Sequence, residues 1–279
     1  MARAFTEYGR LKKVLVCRPE FLNIETPINV IAEKHQHTLD VEQACKEHDE
    51  FVAAFRAHDV DVLLAETHPR FPYEVNTRDL GVATQKGIVF GRFYSPMRWG
   101  EHRLAERTLS NHRIPVFHKM TLGNFEGGDF MYIDDSAAAV GTGIRTDSLG
   151  LQALSLALSD LDLELISVDF DEEYLHLDMI CNVIGEKVAI VCLEALPDAF
   201  VQVLRDKKFE LISVSREDVF LHACNLLNIG DDTVLSHRQA QKVNEQLKSL
   251  GFHVVELHLN EILKSGGGPR CMSFPVERL

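Results

Sequence analysis

The chain has 279 residues, 46% of them hydrophobic and 25% charged, and its 29 Lys and Arg against 42 Asp and Glu leave a net charge of −13. That apolar content is enough to bury a sizeable core, and no apolar run reaches the roughly 18–20 residues a membrane-spanning helix needs. The acidic balance, with no long Lys/Arg-rich stretch, argues against nucleic acid as a partner.

The opening MARAFTEYGRLKK lacks the apolar centre of a secretory signal, so a soluble cytoplasmic protein is expected. Six cysteines (Cys17, Cys45, Cys181, Cys192, Cys224 and Cys271) are spread along the chain without a CxxC pair. That spacing disfavours a disulfide framework and a structural zinc site. Cys17 and Cys192 lie in strand-like apolar runs, Cys45 in a helical pattern, and Cys181 and Cys224 in apolar contexts, where cysteine acts as a small buried hydrophobe. Only Cys271, in a Gly-rich turn, is placed for chemistry.

In chain order, LKKVLVCRP from Leu11 reads as an opening strand. Residues 40–58 then set Ala44, Cys45, His48, Phe51, Val52 and Phe55 along one stripe of an amphipathic helix. RDLGVATQKGIVFGR from Arg78 reads as strand, polar turn and strand, a hairpin signature. A helix over 98–110 and the strand IPVFHK follow it. The same succession returns three times. GDFMYIDDSAAAVG from Gly128 precedes a helix over 148–160 and LELISVDF; LDMICNVIGEKVAIV from Leu177 precedes a helix over 197–206 and FELISVS. HACNLLNIGDDTVLS from His222 precedes a helix capped by Ser236 and ended at Gly251, then FHVVELHL.

Asp79, Asp129, Asp178 and Asn225 open these hairpins at separations of 50, 49 and 47, and a further step of 46 lands on Cys271. About five modules of roughly 45–50 residues would close into a ring with no unpaired edge strand. Carboxylates from three modules and the last module's cysteine would meet near its centre. The plainer alternative is an ordinary mixed sheet whose polar residues merely end strands. No linker divides the chain, so residues 1–279 are read as a single α/β domain.

Four short motifs carry the chemistry. Gly266-Gly267-Gly268-Pro269-Arg270-Cys271-Met272-Ser273 combines three glycines, which let the backbone approach a ligand closely, with a cysteine. A cysteine after such a turn is expected to be exposed and near backbone N–H groups that favour its thiolate. In His176-Leu177-Asp178, read as strand, residues two apart share a face, so imidazole and carboxylate point the same way. Glu126-Gly127-Gly128-Asp129 again removes side chains beside acids, and Thr77-Arg78-Asp79 is uninformative by itself. Alone, His176-Leu177-Asp178 is usually structural and Glu126-Gly127-Gly128-Asp129 is most often a turn, whereas the Gly-rich stretch before Cys271 favours chemistry over a flexible tail with a buried cysteine.

Together, in this order, the four motifs resemble those of the guanidino-modifying enzyme superfamily: arginine deiminases, dimethylarginine dimethylaminohydrolases and glycine or inosamine amidinotransferases. VLVCRPE is similar to the family's opening strand. The resemblance implies a five-module α/β propeller, the pentein fold. It implies Cys271 as nucleophile, His176 as general acid/base and Glu126 as the acid that contacts substrate and histidine. Asp79 and Asp178 match a carboxylate pair gripping the guanidinium, Arg98 and Arg145 match a clamp for an α-carboxylate, and Asp129 matches a structural acid. Asn76 and Arg270 depart from the usual deiminase residues and would reshape the pocket.

These residue types suit the reaction. Guanidinium is planar and cationic, so carboxylates in its plane fix its orientation through paired, charge-assisted hydrogen bonds. A thiolate attacks its carbon, and a histidine made more basic by nearby acids protonates the leaving amine and then activates water. The implied product is a ureido amino acid such as citrulline, with no metal or organic cofactor required. Asp178 favours arginine or a monosubstituted guanidine, because dimethylation removes the N–H donors a buried carboxylate wants. The compact length instead matches the dimethylargininases. Amidino transfer, double hydrolysis to ornithine with Asn76 near the site, and a non-catalytic arginine-binding protein also remain open. The resemblance allows a homodimer.

Overall fold

Four of the five sheets follow one local rule: an apolar strand doubles back through a short polar turn, and a helical crossover then lays a third strand parallel to the second. The computed structural model describes residues 6–279; residues 1–5, part of the opening stretch read above, lie outside it. The chain runs through β1 (Leu11–Val16), α1 (Val30–Lys34), α2 (Val41–Ala57) and β2 (Asp61–Leu64). It continues with β3 (Gly81–Thr84), β4 (Gly87–Phe90), α3 (Glu101–Asn111) and β5 (Val116–Lys119). Next come β6 (Phe130–Tyr132), β7 (Ala137–Thr142), α4 (Ser148–Ala157) and β8 (Glu164–Asp169). These are followed by β9 (Cys181–Gly185), β10 (Val188–Val191), α5 (Asp198–Asp206), β11 (Glu210–Ser213) and α6 (Arg216–Val219). The last stretch holds β12 (Leu227–Gly230), β13 (Thr233–His237), α7 (Gln241–Ser249), β14 (His253–Leu257) and β15 (Phe274–Arg278).

Five three-stranded sheets result: β15-β1-β2, β3-β4-β5, β6-β7-β8, β9-β10-β11 and β12-β13-β14. In each, the first pair is antiparallel and the second parallel. The first sheet is made from both ends of the chain, β15 pairing Phe274 with Leu15 and Arg278 with Leu11. This is the five-module α/β propeller. The hairpin turns are the polar pairs read from the sequence, and Asp231 and Asp232 both adopt positive φ (50° and 53°), the backbone of a tight two-residue hairpin loop.

One expectation needs correcting. The ring has edges, because its five sheets stay separate and meet by packing. Inner strands are linked by side chains: Tyr132 Oη donates to the Ala83 carbonyl, Asn228 Nδ2 to Ile184, and Arg278 Nη2 to Asn228. The outer strands β2, β5, β8, β11 and β14 are only four to six residues long, which limits their use as templates for other chains.

Crossover helices supply the apolar cover. Asp40 caps α2 by accepting from the Gln43 N–H, and the predicted stripe from Ala44 to Phe55 is buried, with the Phe51 and Phe55 rings tilted at 60° and 4.6 Å between centroids. The predicted last helix begins later than expected. Ser236 lies in β13 and its hydroxyl donates to Asn244, so it is no cap, whereas Gly251 does follow the helix with φ +94°. Strand β2 escaped the sequence reading because DVLL buries only Leu63 well. No helix among the described residues is long and apolar enough to cross a membrane.

Candidate active site

Three inner strands are entered through tight 3-10 turns, Thr77–Leu80, Gly127–Asp129 and Leu177–Met179, which pack against one another. The four motifs therefore converge although Asp79 and Cys271 lie 192 residues apart. HLD is not a strand. His176 is extended and Asp178 sits inside the turn that follows, so the shared-face argument is replaced by turn geometry. Glycine at 128 is required by close approach, since a Cβ there would stand 2.7 Å from the His176 ring and 2.9 Å from Asp79 Oδ1.

His176 is 1% exposed, with Nε2 2.9 Å from Glu126 Oε2 and Nδ1 3.6 Å from Asp79 Oδ1. Burial alone would depress its pKa, but Asp79, Glu126 and Asp129 around it push it well above the usual 6.5. The same pairing holds Glu126 below the carboxylate range despite its burial. An NMR titration of His176 in substrate-free protein is expected to return a pKa above 6.5; a value below it would remove the histidine from acid duty.

Cys271 is 5% exposed, which corrects the expectation of an exposed thiol. The backbone N–H groups of Gly268 and Cys271 do not face the sulfur either, because both donate to Asn225 Oδ1, at 3.1 and 3.0 Å. The sulfur instead lies 3.0 Å from Asn225 Nδ2 and 3.6 Å from Asp178 Oδ2. Burial, then Asp178 and Asp79, push the thiol well above its ordinary pKa. Both causes favour the neutral thiol, and added positive charge nearby would oppose them. Asn225 was legible only as the opener of a repeat; the spacing of 46 to Cys271 was its one signal.

The two predicted clamp arginines are in different places. Arg145 lines a cavity of about 420 Å³ with Tyr94, Asp129 and the 27–30 segment; its Nη2 donates to the Ile28 carbonyl, and its Nη1 lies 3.7 Å from Glu126 Oε1 with no hydrogen bond among the described residues. Arg98 is fully buried, with Nη1 on Asp79 Oδ2 at 2.5 Å and Nε and Nη2 on Glu101, and it lies over the Phe93 ring. Asp129 accepts from the Thr146 hydroxyl and the Leu177 N–H, tying its turn to that of His176. Asn76 Oδ1 is buried without a partner, and a Cβ on Gly267 would overlap it while standing 3.1 Å from Cys271 Cβ. Arg270 Nε is 3.4 Å from Asp178, and its Nη1 pairs with Glu7 at 2.6 Å. Glu7, unmarked by any motif, also takes Arg78 at 3.1 Å. Asp79, Glu126 and His176 offer ligand atoms within 4.8 Å of one another, so they are the candidate cation-binding group among the described residues.

A five-module propeller whose entry turns bring a histidine–glutamate pair, two aspartates and a cysteine to one place has the build of the guanidino-modifying enzymes, hydrolases of guanidino groups among them. The family model described as N,N dimethylarginine dimethylhydrolase, eukaryotic, matches residues 18–278, and the chain belongs to that family. It is 34% identical over 276 residues to the uncharacterized protein YkgA of Bacillus subtilis, covering 98% of this chain and 94% of that one. An arginine deiminase of Listeria monocytogenes is 26% identical over 265 residues, covering 77% of this chain and 65% of its own. The crystal structure of the N-terminal domain of ArgZ, a cyanobacterial arginine dihydrolase bound to substrate, superposes with a TM-score of 0.84 at 23% identity, over 95% of this chain and 98% of that one. At that identity the likeness concerns the fold.

Proposed function

We propose that the protein hydrolyses the guanidino group of arginine or an N-substituted arginine, giving citrulline and ammonia or an alkylamine through an S-amidino intermediate on Cys271. The observation that carries this reading is Asp79. Its Oδ1 is buried 3.6 Å from His176 Nδ1 and has no hydrogen-bond partner among the described residues. An oxygen left so costs about 1–3 kcal/mol, and a guanidinium brings N–H donors in its own plane to meet it. Asp178 takes the other edge, next to the sulfur. The bound cation also favours the thiolate that burial and the aspartates oppose.

The Cys271 thiolate forms a bond to the guanidinium carbon. His176 gives its proton to the departing nitrogen as the C–N bond breaks. Water then adds to the amidino carbon while His176 takes its proton, the C–S bond breaks, and the ureido product leaves. Glu126 orients His176 and keeps it basic. Arg145 exchanges the Ile28 carbonyl for the substrate α-carboxylate, and Arg98, locked by Glu101, fixes Asp79. Asp129 supports the His176 turn, while Arg270 and Asn76 shape the wall around the sulfur.

The test is turnover of arginine, monomethylarginine, dimethylarginine and agmatine, with ammonia, amine, citrulline and ornithine measured. Arginine or monomethylarginine is expected to lead. Agmatine, which lacks the carboxylate, should lose about 10²-fold in kcat/KM, and Arg145→Ala should lose as much on arginine while leaving agmatine almost unchanged. Agmatine turnover equal to arginine would refute the Arg145 assignment. A second reading, double hydrolysis to ornithine, draws on Asn76: its unpaired amide oxygen lies, like Cys271, against Gly267 and can accept a hydrogen bond from a second water. Ornithine in the product mixture would establish it; citrulline alone would exclude it.

A further inference from the structure

Asn225 stands at the position that Asp79, Asp129, Asp178 and Cys271 occupy in the other modules, immediately before an inner strand. Its amide orientation is over-determined. Oδ1 accepts from both Gly268 N and Cys271 N, so both of its lone pairs meet N–H donors and the amide cannot flip without setting N–H against N–H. Nδ2 is left facing the Cys271 sulfur at 3.0 Å, and the Asn225 carbonyl accepts from Arg270 N at 3.3 Å. A donor-only group on a sulfur makes the sulfur an acceptor. It strengthens as the sulfur becomes a thiolate, since charge-assisted hydrogen bonds are roughly twice as strong as neutral ones.

We infer that Asn225 is a catalytic residue: its amide N–H donates to the Cys271 sulfur and stabilises the thiolate, first as attacking group and again as departing group. The inference rests on Cys271 being the nucleophile, as proposed above. At the start the thiol proton passes to solvent water and the Nδ2–H bond shortens onto the anion. When the S–C bond forms, that electron pair moves to carbon and the contact weakens. When water has added and the C–S bond breaks, the pair returns to sulfur and meets the same N–H. Among the described residues, no other group hydrogen-bonded or paired near the sulfur does this. Asp178, 3.6 Å away, and Asp79 oppose the anion; Arg270 favours it, but its Nη1 is bound to Glu7; His176, hydrogen-bonded to Glu126, is held for the leaving nitrogen and water.

The experiment reads the thiol itself, independent of any guanidine. Alkylation of substrate-free enzyme by iodoacetamide is followed against pH, with Cys271→Ser subtracting the five other cysteines. Asn225→Ala removes both donor and turn clamp. Asn225→Asp keeps an oxygen for the two backbone N–H groups and removes the donor, so it separates clamp from donor and serves if the alanine variant fails to fold. Both variants are expected to alkylate at least about tenfold more slowly at a fixed pH below the thiol pKa, with the rate limb moved about one unit alkaline. A wild-type profile in either variant overturns the inference. If wild-type protein turns over no guanidine while the alkylation contrast holds, the reaction assignment fails and the Asn225–sulfur bond stands.

Discussion

Cys271→Ser is expected to lower kcat by at least about 10⁴-fold with arginine, the scale seen when a nucleophile acting with its base is removed. The cause is specific to the site. The thiol is already pushed up by burial and by Asp178 and Asp79, and substrate charge must bring it down to the thiolate. A hydroxyl starts far higher and the same cation cannot ionise it. Serine nearly conserves volume, and its oxygen can still reach Asn225 and Asp178, so the thermal midpoint should move by only a few degrees. The second readout is mass spectrometry of wild-type enzyme quenched in turnover, which should carry an amidino adduct on the peptide holding position 271. Residual activity above about 1% in the serine variant would move the nucleophile elsewhere.

The second large effect is on stability. Glu7 is 3% exposed and bridges Arg78 and Arg270, with Arg278 also fully buried near it. Burial alone would raise the Glu7 carboxyl; Arg270 and Arg78 outweigh it and hold it at about 2. Arg278, depressed to about 9 by burial, donates to the Gly9 and Asn228 carbonyls and has Glu7 as the carboxylate that favours its charge. Glu7→Gln removes the carboxylate shared by three buried arginines, leaving only Asp178 beside Arg270, and is expected to cost on the order of 3–5 kcal/mol at pH 7. Because the folded pKa lies below the ordinary 4.5, this contribution is present above about pH 4.5 and is lost as pH falls towards about 2. Urea titrations of both proteins at pH 7 and pH 3 should therefore differ widely at the first and converge towards the second. Equal midpoints at pH 7 would show that the arginines do not need Glu7.

The repeat was legible because its parts are local. Alternating apolar runs, paired polar turns and the stripe on α2 need only neighbouring residues to be read. What escaped depended on partners far along the chain. Nothing in SPMRWGE announces that Arg98 is sealed between Glu101 and Asp79, since one partner is three residues on and the other 19 residues back. The burial of Cys271 follows from Asn225, 46 residues earlier, taking the two N–H groups expected at the sulfur. Glu7 lies in an unremarkable polar stretch whose meaning exists only once Arg78 and Arg270 converge on it. HLD misled for the opposite reason: a local strand rule was applied where packing against Gly128 and Glu126 imposes a turn.

The pairing of β15 with β1 has a consequence for assembly. It joins residues more than 250 positions apart, the longest loop closure in the molecule, whereas the other four sheets form from contiguous stretches. A refolding chain can therefore complete four blades, with His176, Glu126, Asp79 and Asp178 in them or in their entry turns, before the strand following Cys271 docks. Recovery of enzymatic competence should lag behind recovery of backbone circular dichroism, because the last seam to zip is the one that delivers the sulfur.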